Sequence, residues 1–187
     1  MEWCLIGHSE RRGEFGLPTP AESSELLATK MQYLLDTGLK CILAIGEPLP
    51  VREQGVEAVL AHCVEQLKPC LPYLDADKVV IAYEPVWSIG TGVTASPEQA
   101  QETHAAIRKW ISENVSPAVA HAIRIQYGGS ANAKTAPALA ACPDIDGFLV
   151  GGASLKPEFA EIVAAISQAK LEAPAPAAAA PTAAAAP

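Results

Sequence analysis

No stretch of this 187-residue chain stays apolar for the ~18 residues that a membrane span needs, and no charged-then-apolar leader precedes the first expected strand. The five cysteines, at 4, 41, 63, 70 and 142, are odd in number and form no CxxC pair. That argues against a disulfide framework and against a zinc site, and suits a reducing compartment. Cys63 and Cys70, two helical turns apart, read as packing residues. Basic side chains are scarce: 13 Lys and Arg against 21 Asp and Glu leave a formal net charge of −8. Such a balance argues against a nucleic-acid or anionic-membrane partner. A site for an anionic ligand therefore has to be assembled locally, from backbone N–H groups and helix N-termini. No metal-ligand cluster and no nucleotide fingerprint appears, so neither a metal nor a cofactor is expected.

What is present is a strict alternation of short apolar runs and amphipathic stretches. Strands are expected at Trp3–Ile6, Cys41–Ile45, Val79–Tyr83, Ile123–Tyr127 and Ile145–Val150. Helices are expected over Glu22–Thr37, with an apolar stripe of Leu26, Leu27, Met31, Leu34 and Leu35, over Val51–Leu71, and from Ser96 to about Asn114. A short one near Ala133–Ala141 and a last one from about Pro157 to Ala169 complete the set. Alternation of this kind predicts an α/β domain with a parallel sheet and right-handed crossovers. Residues 173–187, APAPAAAAPTAAAAP, hold ten alanines, four prolines and one threonine. They cannot bury a core and read as a disordered, partly polyproline-II tail, either a spacer or an interaction segment. The expected organisation is a domain over 1–172 and this tail.

The centre of the chain is Lys78–Gln99, KVVIAYEPVWSIGTGVTASPEQ. A buried strand ends in Glu84, which precedes Pro85 and is therefore biased to an extended conformation, with its carboxylate projecting past the sheet. A glycine-punctuated loop rooted on Trp87 follows, and Ser96-Pro97-Glu98-Gln99 is a capped helix start. Strand, acid, loop and capped helix can present a base beneath a lid.

This passage, with GHSERR (7–12), IGE (45–47), YGGS (127–130) and DGFLVGGASLKPEF (146–159), resembles the triosephosphate isomerase family over roughly residues 2–170. The resemblance implies a (β/α)8 TIM barrel, of which this chain would hold five parallel βα units, the last five-eighths. The first three units, with an Asn-x-Lys motif whose lysine contacts substrate, would be absent. It also implies that Glu84 is the base, His8 a hydrogen-bond donor to the substrate's oxygens, and Glu10 a near-site glutamate, for which a structural pairing with a basic side chain competes equally. Gly90 of the lid, Ser130, Gly151 and Gly152 would contact phosphate. His62, His104 and His121 lack such context and read as helix-surface or loop residues. Ala44 stands where the family usually has cysteine. The implied substrates are triose phosphates, interconverted in glycolysis and gluconeogenesis in the cytoplasm, with a plastid as the alternative. The family is homodimeric, but the interface here would be incomplete. The competing expectation is an inactive or incomplete fragment. Its sheet edges, at Trp3–Ile6 and Ile145–Val150, would be exposed.

Overall fold

A computed structural model describes residues 1–16, 20–89, 91 and 94–172; the expectations for Gly90 and for the 173–187 tail fall outside it. Five strands form one parallel sheet in sequence order: β1 (Trp3–Ile6), β2 (Lys40–Ile45), β3 (Val79–Tyr83), β4 (Arg124–Tyr127) and β5 (Gly147–Phe148). β3 is buried at every position, as a continuous apolar run in a parallel sheet should be. The register places Ile45, Tyr83 and Tyr127 in one row at the strands' C-terminal ends.

Trp3 of β1 has the Lys40 ammonium and the Arg124 guanidinium each 5.2 Å from its ring centre, although β1 and β4 are not neighbours. Among the described residues β1 pairs only with β2 and β5 only with β4, so the expected edges are observed, and Leu5 on β1 is 41% exposed.

Seven α-helices are present among the described residues: α1 (Ser24–Asp36), α2 (Leu49–Arg52), α3 (Val56–Leu67), α4 (Pro97–Asn114), α5 (Pro117–Ala122), α6 (Ala136–Ala140) and α7 (Phe159–Glu172). α1 buries Leu27 and Met31 completely, but Leu26 turns outward at 45% exposure and leaves the expected stripe. The capping box forms as expected: Ser96 Oγ accepts from Gln99 N, and Gln99 Oε1 accepts from Ser96 N. Ser116-Pro117 repeats the signal, unanticipated, and starts α5 with Ser116 Oγ accepting from Val119 N.

Three expected boundaries need correction. Val51–Leu71 is two helices followed by a 3-10 turn (Lys68–Tyr73), because Gly55 adopts φ +98° and the turn contains Pro69 and Pro72. The strand expected at Ile145–Val150 is laddered only over Gly147–Phe148, since an edge strand has one partner and β4 has only four residues to offer. The short helix is trimmed to Ala136–Ala140, with Asn132 and Thr135 forming a side-chain-bonded turn ahead of it.

Arg108 of α4 ties this half of the sheet to the helices. It donates to the Asp144 and Asp146 carboxylates and to the carbonyls of Ala120 and Ile123, and Asp146 in turn accepts from Ile125 N.

Two glycines separate backbone strain from steric exclusion. A Cβ on Gly55 meets open space, so Gly55→Ala should cost about 1–2 kcal/mol through its positive φ alone. A Cβ on Gly46 would run into the Glu84 backbone carbonyl, so Gly46→Ala should cost upwards of about 4 kcal/mol. Urea unfolding of both variants tests the order; equal losses would overturn the packing argument.

Candidate active site

The polar residues gather at the C-terminal ends of the strands. Glu84, directly after β3, is 2% exposed and continues the sheet ladder through its N–H to the Ile45 carbonyl (2.7 Å). Its row neighbours are Gly46 and Gly128, and a Cβ on either would strike Glu84. Gly46 is clamped from α3 by Gln66, whose Oε1 accepts from Gly46 N (2.8 Å) and whose Nε2 donates to Gly46 O (3.0 Å). The Glu84 carboxylate therefore sits in a slot defined by backbone.

Glu84 Oε2 accepts from Ser9 N at 3.2 Å, and Oε1 lies 3.2 Å from His8 Nε2. His8 Nδ1 accepts from Glu10 N at 3.3 Å, so in the neutral ring the proton is on Nε2 and points at the carboxylate. Burial pushes the Glu84 pKa up; His8, the Ser9 N–H and Arg12 act in the opposite direction. Arg12 lies behind the pair, donating to the Gly7 and Ala44 carbonyls, and burial lowers its own pKa. Glu10 is exposed, with its carboxylate 3.9 Å from His8 Nδ1 and no Arg or Lys partner among the described residues. Its carboxylate thus lies on the His8 side of the site.

A cavity of about 430 Å³ opens over these groups, lined by His8, Glu84, Gly128–Asn132, Leu149–Ala153, Lys156 and Glu158, with Leu5 and Ile89 at its apolar side. Ser130, Gly151 and Gly152, three of the four expected phosphate contacts, line it together. Ser130 Oγ currently donates to the Ser88 carbonyl (2.6 Å). No acceptor among the described residues takes the N–H of Gly151 or Gly152, and a Cβ on either would meet open space. No group of three or more His, Cys, Asp or Glu among the described residues could hold a metal. No helix among them is long and apolar enough to cross a membrane.

Sequence reasoning missed two buried supports. Glu47, inside the IGE motif, is wholly buried; its Oε1 accepts from Tyr83 OH (3.0 Å) and from Trp87 Nε1 (2.9 Å), which moors the root of the 88–96 loop. The other end of that loop is tied by Ala95 N donating to Tyr127 OH (3.3 Å). His104, expected at a helix surface, is fully buried against Tyr83. Burial drops its pKa to about 3, and its Nδ1 lies 3.3 Å from the Asp144 carbonyl. Its spacing with Ala100, Ile107 and Ile111 was the available signal.

Parallel βα architecture with its polar groups at the strands' C-terminal ends places the chain among α/β proteins that build sites from βα loops. A family model described as triosephosphate isomerase matches residues 1–166. A curated protein named triosephosphate isomerase, from Neurospora crassa, is 51% identical over 168 residues, covering 87% of this chain and 63% of its own length. The chain belongs to the triosephosphate isomerase family, and spans 63% of the length of that curated relative.

Burial raises the Glu47 pKa, with Trp87 and Tyr83 opposing it. A raised acid holds its proton longer in the folded state, so its contribution is complete below the unfolded value, 4.5, and is lost as pH climbs through the folded one. Glu47→Gln keeps the Oε1 acceptor and removes this titration. Between pH 4 and 7 the stability of wild type relative to Glu47→Gln should therefore fall, read by urea unfolding across pH. A pH-independent difference would contradict the buried-acid assignment.

Proposed function

We propose that this chain carries the proton-transfer site of a triosephosphate isomerase, interconverting dihydroxyacetone phosphate and D-glyceraldehyde 3-phosphate. The observation that supports it best is the pairing of a buried carboxylate, Glu84, with the Nε2–H of His8 at 3.2 Å, beneath a cavity rimmed by free glycine N–H groups. Glu84 takes the proton from the carbon beside the carbonyl and returns it to the neighbouring carbon. His8 Nε2–H donates to the carbonyl oxygen as negative charge develops there, gives it that proton to form the enediol, and takes the proton of the neighbouring hydroxyl back onto Nε2 as that oxygen becomes the new carbonyl. The two bond to each other, so substrate enters between them and Glu84 gives up its bond to Ser9 N. Ser130, Gly151 and Gly152 hold the phosphate, with Gly90 as the lid's contribution. Glu10 bonds through its backbone to His8 Nδ1 and fixes the tautomer.

The five strands are, in this reading, an arc of a (β/α)8 barrel. A second reading, a chain that binds triose phosphate without turning it over, is favoured by one feature. Leu5, in the cavity wall, is 41% exposed at the free edge of the sheet, which leaves that side wet. Water in the site weakens the electrostatic stabilisation that the reaction needs.

Turnover of glyceraldehyde 3-phosphate by the purified chain decides between them. Glu84→Gln prepared in parallel should abolish activity, and Glu84→Asp should lower kcat about 100-fold by withdrawing the carboxylate by one methylene. The acid limb of kcat/KM should lie above the ordinary glutamate value of 4.5, because burial raises the base. Wild-type turnover no greater than that of Glu84→Gln would leave the binding-only reading.

A further inference from the structure

The cavity is poor in positive charge. Among its described lining residues Lys156 is the sole Lys or Arg, set against Glu84 and Glu158, in a chain of net charge −8. We propose that Lys156 is the positioning cation for the substrate's phosphate, drawing the dianion to the Gly151–Gly152 rim and setting its affinity. This rests on the phosphate-ester reading above.

Four observations carry it. Lys156 directly follows the 3-10 turn Gly152–Leu155, so its stem starts at the rim that offers the free N–H groups. Its ammonium is 3.9 Å from Glu158 Oε1, beyond hydrogen-bond distance, and the side chain is 67% exposed. A pair so loose and so wet contributes little to stability, so packing does not account for the lysine's placement. The overall field of an acidic protein repels a dianion, so entry depends on whatever cation stands at the mouth. A phosphate monoester offers three oxygens and about two charges in place of one distant carboxylate. Lys156 can therefore exchange Glu158 for substrate without losing an established hydrogen bond. Glu158 then acts as a resting partner that competes with the ligand.

The test uses the full chain, titrated with inorganic phosphate and separately with glyceraldehyde 3-phosphate, and followed through the backbone amide resonances of Gly151 and Gly152. Both anions should shift these amides in wild type. Lys156→Ala should weaken each Kd by about tenfold, one charge-assisted contact's worth, and flatten its dependence on salt. Lys156→Arg should restore most of the affinity, and Glu158→Gln should tighten it. Uncharged dihydroxyacetone should bind wild type and Lys156→Ala alike. If turnover is present, Lys156→Ala should lower kcat/KM chiefly through KM. Unchanged urea midpoints in the variants separate this from a folding defect. Wild-type binding with an equally tight Lys156→Ala would overturn the role of Lys156 and leave the reading of the site intact. Failure of wild type to bind either anion would overturn both.

Discussion

The geometry of the site depends on how closely three strand ends approach around one carboxylate. The ladder that joins β2, β3 and β4 runs one residue past the strands: Glu84 N donates to Ile45 O and Gly128 N donates to Tyr83 O, both at 2.7 Å. That brings backbone against Glu84 on each side, at a separation where only glycine can stand. The glycines of IGE and YGGS are therefore as much part of the site as the glutamate. Gln66 adds the remaining constraint from α3 by occupying both backbone groups of Gly46, which have no strand partner so far along the ladder. The carboxylate inherits the rigidity of the sheet and needs only side-chain rotation to move between Ser9 and a substrate.

Electrostatics follow from the same crowding. Glu84 and Glu47 are both held out of water, and burial raises both pKa values. The structure handles the two differently. Glu47 receives two neutral donors on one oxygen, while its other oxygen has no partner among the described residues, an arrangement that serves to fix Tyr83 and Trp87. Glu84 receives a backbone N–H and an imidazole, with the Arg12 guanidinium behind them. Arg12 gives its hydrogen bonds to two carbonyls, so its charge remains available to favour the ionised Glu84 carboxylate. One acid is thus anchored by two neutral donors on a single oxygen, and the other is held among a backbone N–H, an imidazole and a guanidinium.

Much of this was legible in the sequence. The apolar runs mark five strands, and Ser96-Pro97-Glu98-Gln99 specifies a helix start to the residue, because periodicity and capping are local physics. The acid after β3, the GHSERR turn and the glycine pairs come together in one cavity. Less was legible where a residue's role depends on distant backbone. Gly55 interrupts a helical pattern without disturbing its polarity, so periodicity alone carries Val51–Leu71 across it. Ser116-Pro117 was readable but lies within a short connection. His104 looks polar in sequence and is apolar in effect, since complete burial keeps it neutral. Arg12, Glu47 and Arg108 bond across 5 to 40 residues, a relation that no spacing rule records.

The site makes two physical demands, and the structure meets them unequally. Positioning is satisfied by backbone contacts inside β2, β3 and β4, all interior to the sheet, so it does not depend on the edges. Exclusion of water does depend on them. Glu84 is dry at 2% exposure, whereas the side chain of His8, carried by edge strand β1, is 28% exposed. In the proposed reaction the Glu84 carboxylate is therefore shielded from water while the His8 imidazole still faces solvent. A hydrogen bond from a wet imidazole is weakened by competing water just as charge develops on the oxygen. In the proposed reaction the exposed edge of β1 thus weighs on the carbonyl half more than on the carbon-acid half, and it does so through His8 rather than through Glu84.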